Sequence, residues 1–205
     1  MKVAVLGASG KGGSQITNEL VSRGHEVVAI ARNPEKLPSG HGITPVQGDA
    51  SDADGLAKQI AGVDAVISAV HFNIPASTLL TAVKQAGVDR LLVMGGAASL
   101  KNKDGVRLYD TPGFPENIKP IVKPAIDFLD DLKNEHDVDW TFFSPAMVIF
   151  EGPRQGPGSF RLGKDELVTD ANGESKISYA DYAIAMVDEL EKHDHSRSRF
   201  TAAYT

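Results

Sequence analysis

The strongest constraint on the fold is an alternation that starts at the second residue. The apolar run KVAVL (2–6) leads at once into the glycine-rich turn GASGKGGS (7–14) and then into SQITNELVSRG (14–24). The run is rich in β-branched residues and lacks polar alternation, as a strand covered on both faces does. After the turn, Ile16 and Leu20 fall four apart on one helical face, and Gly24 stands where a helix C-terminus takes a left-handed residue. The pairing of strand and helix then recurs. Further strands are expected in EVVAIAR (26–32), ITPVQGD (43–49), VDAVISAV (63–70), RLLVMGG (90–96), WTFFSPAMVIF (140–150) and RFTAAY (199–204). Helices are expected around Leu56 and Ile60, in 75–87, in 118–138 with Ala125, Phe128, Leu129 and Leu132 inward, and in 178–192. Pro45 suggests an outer position for the third strand. Ser178 and Asp181 have capping-box spacing, with aspartate in place of the usual glutamate. Pro120 and Pro124 leave the start of the fourth helix open. Residues 99–118 and 151–173 lack periodicity and read as loops.

Such an order favours an α/β, Rossmann-type, doubly wound parallel sheet in three αβα layers, as a single domain over 1–205. A chain of 205 residues suffices for one buried core. The formal net charge of -6 argues against a nucleic-acid partner. The absence of cysteine excludes disulfides and thiolate metal sites, and no metal is expected. No apolar run is long enough for a bilayer, and the opening MKVAVLGASG lacks a signal h-region, so the expectation is a cytoplasmic protein without a membrane partner. Nothing in the chain fixes an oligomeric state.

In sheets of this kind ligands sit beyond the carboxyl ends of the strands, where the connection order reverses, and the first glycine turn lies there. Gly7 permits the sharp exit from the strand, Gly10 leaves room for a pyrophosphate, and Gly13 allows helix and strand to pack closely. The amides and dipole of the helix then face the anion. Ser9, Lys11 and Gly12 complete the expected cradle, with a hydroxyl and a charge among them. Plain tight-turn geometry is the competing explanation, but the strand before and helix after favour the cradle. The final GK[ST] of a Walker loop is missing.

The spacing G-x-x-G-x-x-G departs from G-x-G-x-x-G. Together with GDASD, DAVISAV, MGGAAS, DWTFFSPAMVIFEGPRQG and ISYADYAIAMVDELE, it makes the chain resemble the atypical short-chain dehydrogenases/reductases. Within them it resembles the small NAD(P)H-binding proteins grouped as candidate NADH-flavin reductases, relatives of biliverdin reductase B and the NmrA-like proteins. The resemblance implies that Asp49 and Ala50 border adenine, and that Ser68, Ala69 and Val70 follow the sugars and phosphates. It implies that Gly95, Gly96, Pro145, Ala146 and Met147 frame the nicotinamide. Each has a structural alternative: Asp49 as a turn cap, Pro145 as a strand stop.

The second strand ends in AIARNPEK, with Arg32 where an NAD site usually carries a carboxylate. A guanidinium can bind a 2′-phosphate that a carboxylate would repel, so the cofactor expected is NADPH rather than NADH. No tyrosine is followed by lysine four residues on, which disfavours the usual acid of carbonyl reduction. Flavin-like and quinone-like acceptors need less help, and His71, Phe72 and Phe150 are candidate lining for such a small, flat aromatic partner. His71 is otherwise a plain loop residue, and the two phenylalanines could equally be core. Two functions follow: an NADPH-dependent reductase of such acceptors, or a non-catalytic NADP(H)-binding redox sensor of the NmrA-like type.

Overall fold

The computed structural model describes residues 1–205. Its centre is an eight-stranded sheet with the order β3-β2-β1-β4-β5-β6-β10-β8. The strands are β1 (Lys2–Leu6), β2 (Glu26–Ala31), β3 (Ile43–Gln47), β4 (Ala65–Ser68), β5 (Arg90–Met94), β6 (Asp139–Ser144), β8 (Phe160–Gly163) and β10 (Ser198–Tyr204). All neighbours run parallel except β8, which lies antiparallel against β10 at one edge. The helices are α1 (Lys11–Ser22), α2 (Ala53–Gln59), α3 (Ala76–Gln85), α4 (Lys119–Lys133) and α5 (Tyr179–Lys192).

Successive side chains of a strand point to opposite faces, so a strand buried on both sides feeds two cores. On one face Val3, Val5, Ala29, Ile67 and Phe200 pack with Ile16 and Leu20 of α1 and Tyr182 and Met186 of α5. On the other, Ala4, Leu6, Ile30, Val66 and Phe142 meet Leu56 of α2, Leu79 of α3, and Phe128, Leu129 and Leu132 of α4. Helices on both faces make the fold doubly wound. β3 is the other edge strand, and Pro45 sits within it, where a missing amide breaks no central ladder. Gly24 and Gly87 end their helices at φ +83° and +68°.

One strand differs from the sequence expectation. WTFFSPAMVIF is not continuous, because Pro145 follows the last residue of β6 and has no amide to extend the ladder. The chain then turns, and β7 (Val148–Phe150) pairs in parallel with β9 (Lys176–Ser178) in a separate two-stranded sheet. In α4, Pro120 occupies the first turn, where its missing amide costs nothing, and Pro124 follows one turn on. Between β5 and α4 the expected irregular excursion holds a single 3₁₀ turn, Leu108–Asp110. No helix is long and apolar enough to cross a membrane.

A column of rings joins α5 to the far half of the sheet. Phe143 stacks on Tyr182 at 4.0 Å and on Phe200 at 4.1 Å, and His195 stacks on Phe200 at 4.4 Å. Burial pushes the Tyr182 phenol up, and its hydroxyl donates to the Phe143 carbonyl at 2.7 Å.

Candidate functional site

The order of the sheet places its reversal between β1, which leads outward to β2 and β3, and β4, which leads the other way. Beyond the carboxyl ends of these strands lies a cavity of about 280 Å³. Gly7, Ser9 and Gly10 form one wall, Arg32 and Asp49–Ser51 a second, and Ala69–His71 with Asn73 and Ile74 a third. The cavity is just below the range for drug-sized ligands, roughly 300–1,000 Å³.

The glycine turn owes its shape to close approaches. Gly7 has φ +76°, and a Cβ there would lie 2.7 Å from the Ala69 carbonyl oxygen, so no other residue turns this corner without displacing β4. A Cβ on Gly13 would lie 2.2 Å from the Gly7 carbonyl oxygen, which lets α1 start directly against the turn. Gly10, the N-cap of α1, faces open space apart from the Gly7 carbonyl oxygen at 3.3 Å, and no side chain caps the helix. The first amides of α1 therefore keep their donors for a ligand, at the positive end of the helix dipole. This is what a pyrophosphate requires. Gly12 has a different job: a Cβ there would strike Met94 Sδ at 2.4 Å, so its missing side chain makes room for β5 packing. Lys11, expected to add charge to the cradle, pairs with Glu151 at 2.7 Å. That hydrogen bond, with the Glu151 charge, holds the ammonium above its ordinary value.

Arg32 is exposed on the cavity wall, and its guanidinium has no carboxylate partner; only its carbonyl is engaged, accepting from Gln47 Nε2 at 3.2 Å. Asp49 uses Oδ1 on the turn before α2, accepting from the Ser51 amide at 2.9 Å and the Ser51 hydroxyl at 2.7 Å, while Oδ2 has no protein partner. Those bonds hold its carboxyl below the usual range, with Arg32 contributing less. Its turn-capping alternative thus describes the side chain, while Ala50 beside it completes the wall.

Gly7, Ser9, Gly10, Arg32, Asp49, Ala50, Ala69, Val70 and His71 are therefore brought together around one space. The other expected residues are not. Ser68 is buried within β4. Phe72 is turned inward, edge-on to Phe128 at 5.1 Å and near Phe142 at 6.1 Å, so it is a core contact rather than free lining. Phe150 packs toward Tyr204 at 6.4 Å for the same reason. Gly95 lies against the Phe142 ring and Gly96 beside Ala125 of α4. Pro145 and Ala146 are buried beneath the β6 exit, and Met147, 50 % exposed, stands in the open with its amide donating to Ser175 Oγ. The sequence reading missed Leu6, Ile30, Ala31, Gly48, Ser51, Asn73 and Ile74 as cavity lining. The first three are strand-end residues that read as plain core. Asn73 and Ile74 lie in a turn whose course no periodicity reports.

The loop after β7 is strapped down. Asp181, fully buried at the start of α5, accepts from the amides of Gln155 at 3.0 Å and Gly156 at 2.9 Å and from the Tyr204 hydroxyl at 2.5 Å. Ser178 Oγ accepts from the Asp181 amide at 3.1 Å as a cap should, but the carboxylate does not return to the Ser178 amide. Tyr204 takes that amide instead, at 3.2 Å. Arg154 pairs with the buried Glu19 of α1.

A crevice at the switch point, an uncapped helix N-terminus and a glycine corner are the parts of a dinucleotide site, and a family model for NAD(P)H-binding matches residues 7–193. The chain belongs to that family. The uncharacterized protein YwnB of Bacillus subtilis is 40% identical over 211 residues, which cover 98% of this chain and 97% of that one. Among solved structures, a candidate epimerase of Bacteroides thetaiotaomicron is 43% identical with a TM-score of 0.92, over 99% of this chain and 96% of its own. A candidate NADH-flavin reductase of Streptococcus pneumoniae is 37% identical with a TM-score of 0.86 over 100% of both chains. These relationships agree with the atypical short-chain dehydrogenase/reductase group that the motifs resemble.

Proposed function

We propose that the protein is an NADPH-dependent reductase that passes hydride to a flat acceptor of the quinone or flavin type. The observation that carries the cofactor half is Arg32. It stands on the cavity wall at the end of β2 with its guanidinium uncommitted, while Asp49 on the same wall has one carboxylate oxygen, Oδ1, engaged by Ser51. A bidentate cation suits the 2′-phosphate of NADPH, which the charge of a carboxylate at this position would repel. The acceptor half draws support from the Streptococcus pneumoniae relative, named for NADH-flavin reduction.

When bound, the dihydronicotinamide supplies the hydride. The chain's own residues do the rest. The first amides of α1 hold the pyrophosphate, Gly7 lets the backbone come close to it, and Arg32 fixes the adenosine end. With the adenosine end held there, the exits of β5 and β6 would receive the nicotinamide end. Catalysis then consists of keeping two rings in contact and excluding water.

Steady-state oxidation of NADPH in the presence of FMN, FAD and 2-methyl-1,4-naphthoquinone tests this. Turnover with at least one is expected. Tight NADPH binding without turnover across the panel contradicts the reductase and leaves a redox sensor.

A further inference from the structure

The strap that follows β7 reads EGPRQG (151–156). Glycine and proline here form neither helix nor ladder, so side chains must fix its course. At the rear the attachments are buried. The amides of Gln155 and Gly156 donate to Asp181, and the Arg154 guanidinium donates to Glu19 Oε2 at 2.5 Å. Asp181 and Glu19 are 0 % and 5 % exposed. The front is different. The amides of Glu151, Gly152 and Arg154 have no protein partner, and the Glu151 carboxylate meets only Lys11 Nζ. Those two side chains are 68 % and 63 % exposed, and ion pairs so open to water are weak and easily exchanged.

Lys11 is also the first residue of α1, next to the uncapped amides that suit a pyrophosphate. A pyrophosphate carries more negative charge than one carboxylate, and the helix dipole favours it at this end. The ammonium stands on a flexible four-carbon stem and is a point charge that either anion can claim. Gly152 links the front of the strap to the residues before it. The Phe150 ring fills the place where a Gly152 side chain would stand, so this ring and the strap shift together. Met147 and Val148, both more than half exposed, lead into the same stretch from the exit of β6.

We infer that the Lys11–Glu151 pair is a latch on the front of this strap, and that the cofactor opens it. The pyrophosphate takes the Lys11 ammonium, Glu151 is released, and residues 150–153 gain freedom while the rear stays pinned at Glu19 and Asp181. The inference goes beyond the reductase reading, since it needs only the dinucleotide. In a reductase the latch makes the acceptor half respond to a seated cofactor. In a redox sensor it makes the strap the element that reports occupancy. Linkage makes the coupling reciprocal: the factor by which the closed latch weakens cofactor binding is the factor by which the cofactor loosens the latch.

The chain has no cysteine, so Pro153→Cys gives a single attachment point on the exposed strap for a nitroxide read by electron paramagnetic resonance. Saturating NADP⁺ should raise the ratio of mobile to immobile label about two- to fivefold, the range for an exposed ion pair. With Glu151→Gln added, the raised ratio should be present without cofactor and should not change when it binds. Lys11→Met should behave in the same way, and Lys11→Arg, which keeps the charge, should restore the response. Trypsin cleavage after Arg154 in unlabelled protein makes the same comparison if Pro153→Cys does not fold. Fluorescence titration confirms NADP⁺ binding in each protein. Unchanged or lower mobility in a protein that binds NADP⁺, or a response that survives Glu151→Gln, overturns the inference and leaves the reductase reading in place. A label that responds in a protein that oxidises NADPH with no acceptor overturns the reductase reading and leaves the latch. Failure to bind NADP⁺ overturns the cofactor site and the latch together.

Discussion

The two halves of the crevice are built from different materials. The half between β1, β2 and β4 is walled by backbone and short side chains fixed by the sheet itself: Gly7, Gly10, Gly48, Ala50 and Ala69 around a formed cavity. The half beyond β5 and β6 is walled by loops, and side-chain bonds hold those loops down: Asp181 on the 151–158 segment, Arg199 on Asp165, and the turn at Tyr109. A wall of backbone suits a ligand part that never changes, as the adenosine and pyrophosphate of a dinucleotide do not. A wall of strapped loops suits a part that differs from one relative to the next.

The two halves should therefore break differently. The largest effect is expected from Gly13→Ala. Its Cβ would meet the Gly7 carbonyl oxygen at 2.2 Å, a backbone atom that cannot step aside. Thermal melting should show a loss of about 3 kcal/mol, the upper end for overpacking, and NADPH binding should fall with it. Gly12→Ala sharpens the point, since its obstacle is the flexible Met94 side chain and about 1 kcal/mol is expected. Asp181→Asn comes next. The amide keeps the size but turns one acceptor into a donor facing the Gln155 and Gly156 amides, so about 2 kcal/mol should be lost. Hydrogen exchange should quicken across 151–158, with NADPH affinity changed less than about threefold if the halves are independent.

The same contrast explains what could be read in advance. Strands covered on both faces and helices with one apolar face announce themselves by periodicity, so β1 to β5, the helices and the glycine corner were legible. Arg32 was legible too, because a strand end fixes its place. Phe72 was not: its ring is turned inward by Phe128 and Phe142, partners distant in the sequence. Neither was the break at Pro145, since an apolar run continues on both sides of it and only the pairing of β7 with β9 shows that the direction has changed. Residues 99–118 carried no local signal at all. Their course is set by bonds such as Lys101 to Asp165, which join two loops with no period of their own.

Acid should loosen the strapped half. Burial alone would push the Asp165 carboxyl up, but the Arg199 guanidinium donating to it holds it below its ordinary value of 3.8. A depressed carboxyl contributes stability that is complete above the unfolded value and is lost as pH falls through the lower folded one. Hydrogen exchange in 99–110 should therefore rise as pH drops below about 3.8, ahead of exchange in β1 and β2. The smallest effect is expected at the seam. Glu151→Gln frees Lys11 from an exposed, solvent-screened pair, so NADPH should bind about two- to fivefold more tightly. A weaker complex in that variant would show that Glu151 helps hold the cofactor.

The choice of cofactor turns on what Arg32 grips. Fluorescence titration of wild type and Arg32→Glu with NADPH and with NADH measures this directly. Wild type should bind NADPH about 10- to 100-fold more tightly than NADH, the worth of charge-assisted hydrogen bonds to one phosphate. The variant should lose that margin while its affinity for NADH stays nearly the same. An equal preference in the two proteins would contradict the assignment of this wall to the 2′-phosphate.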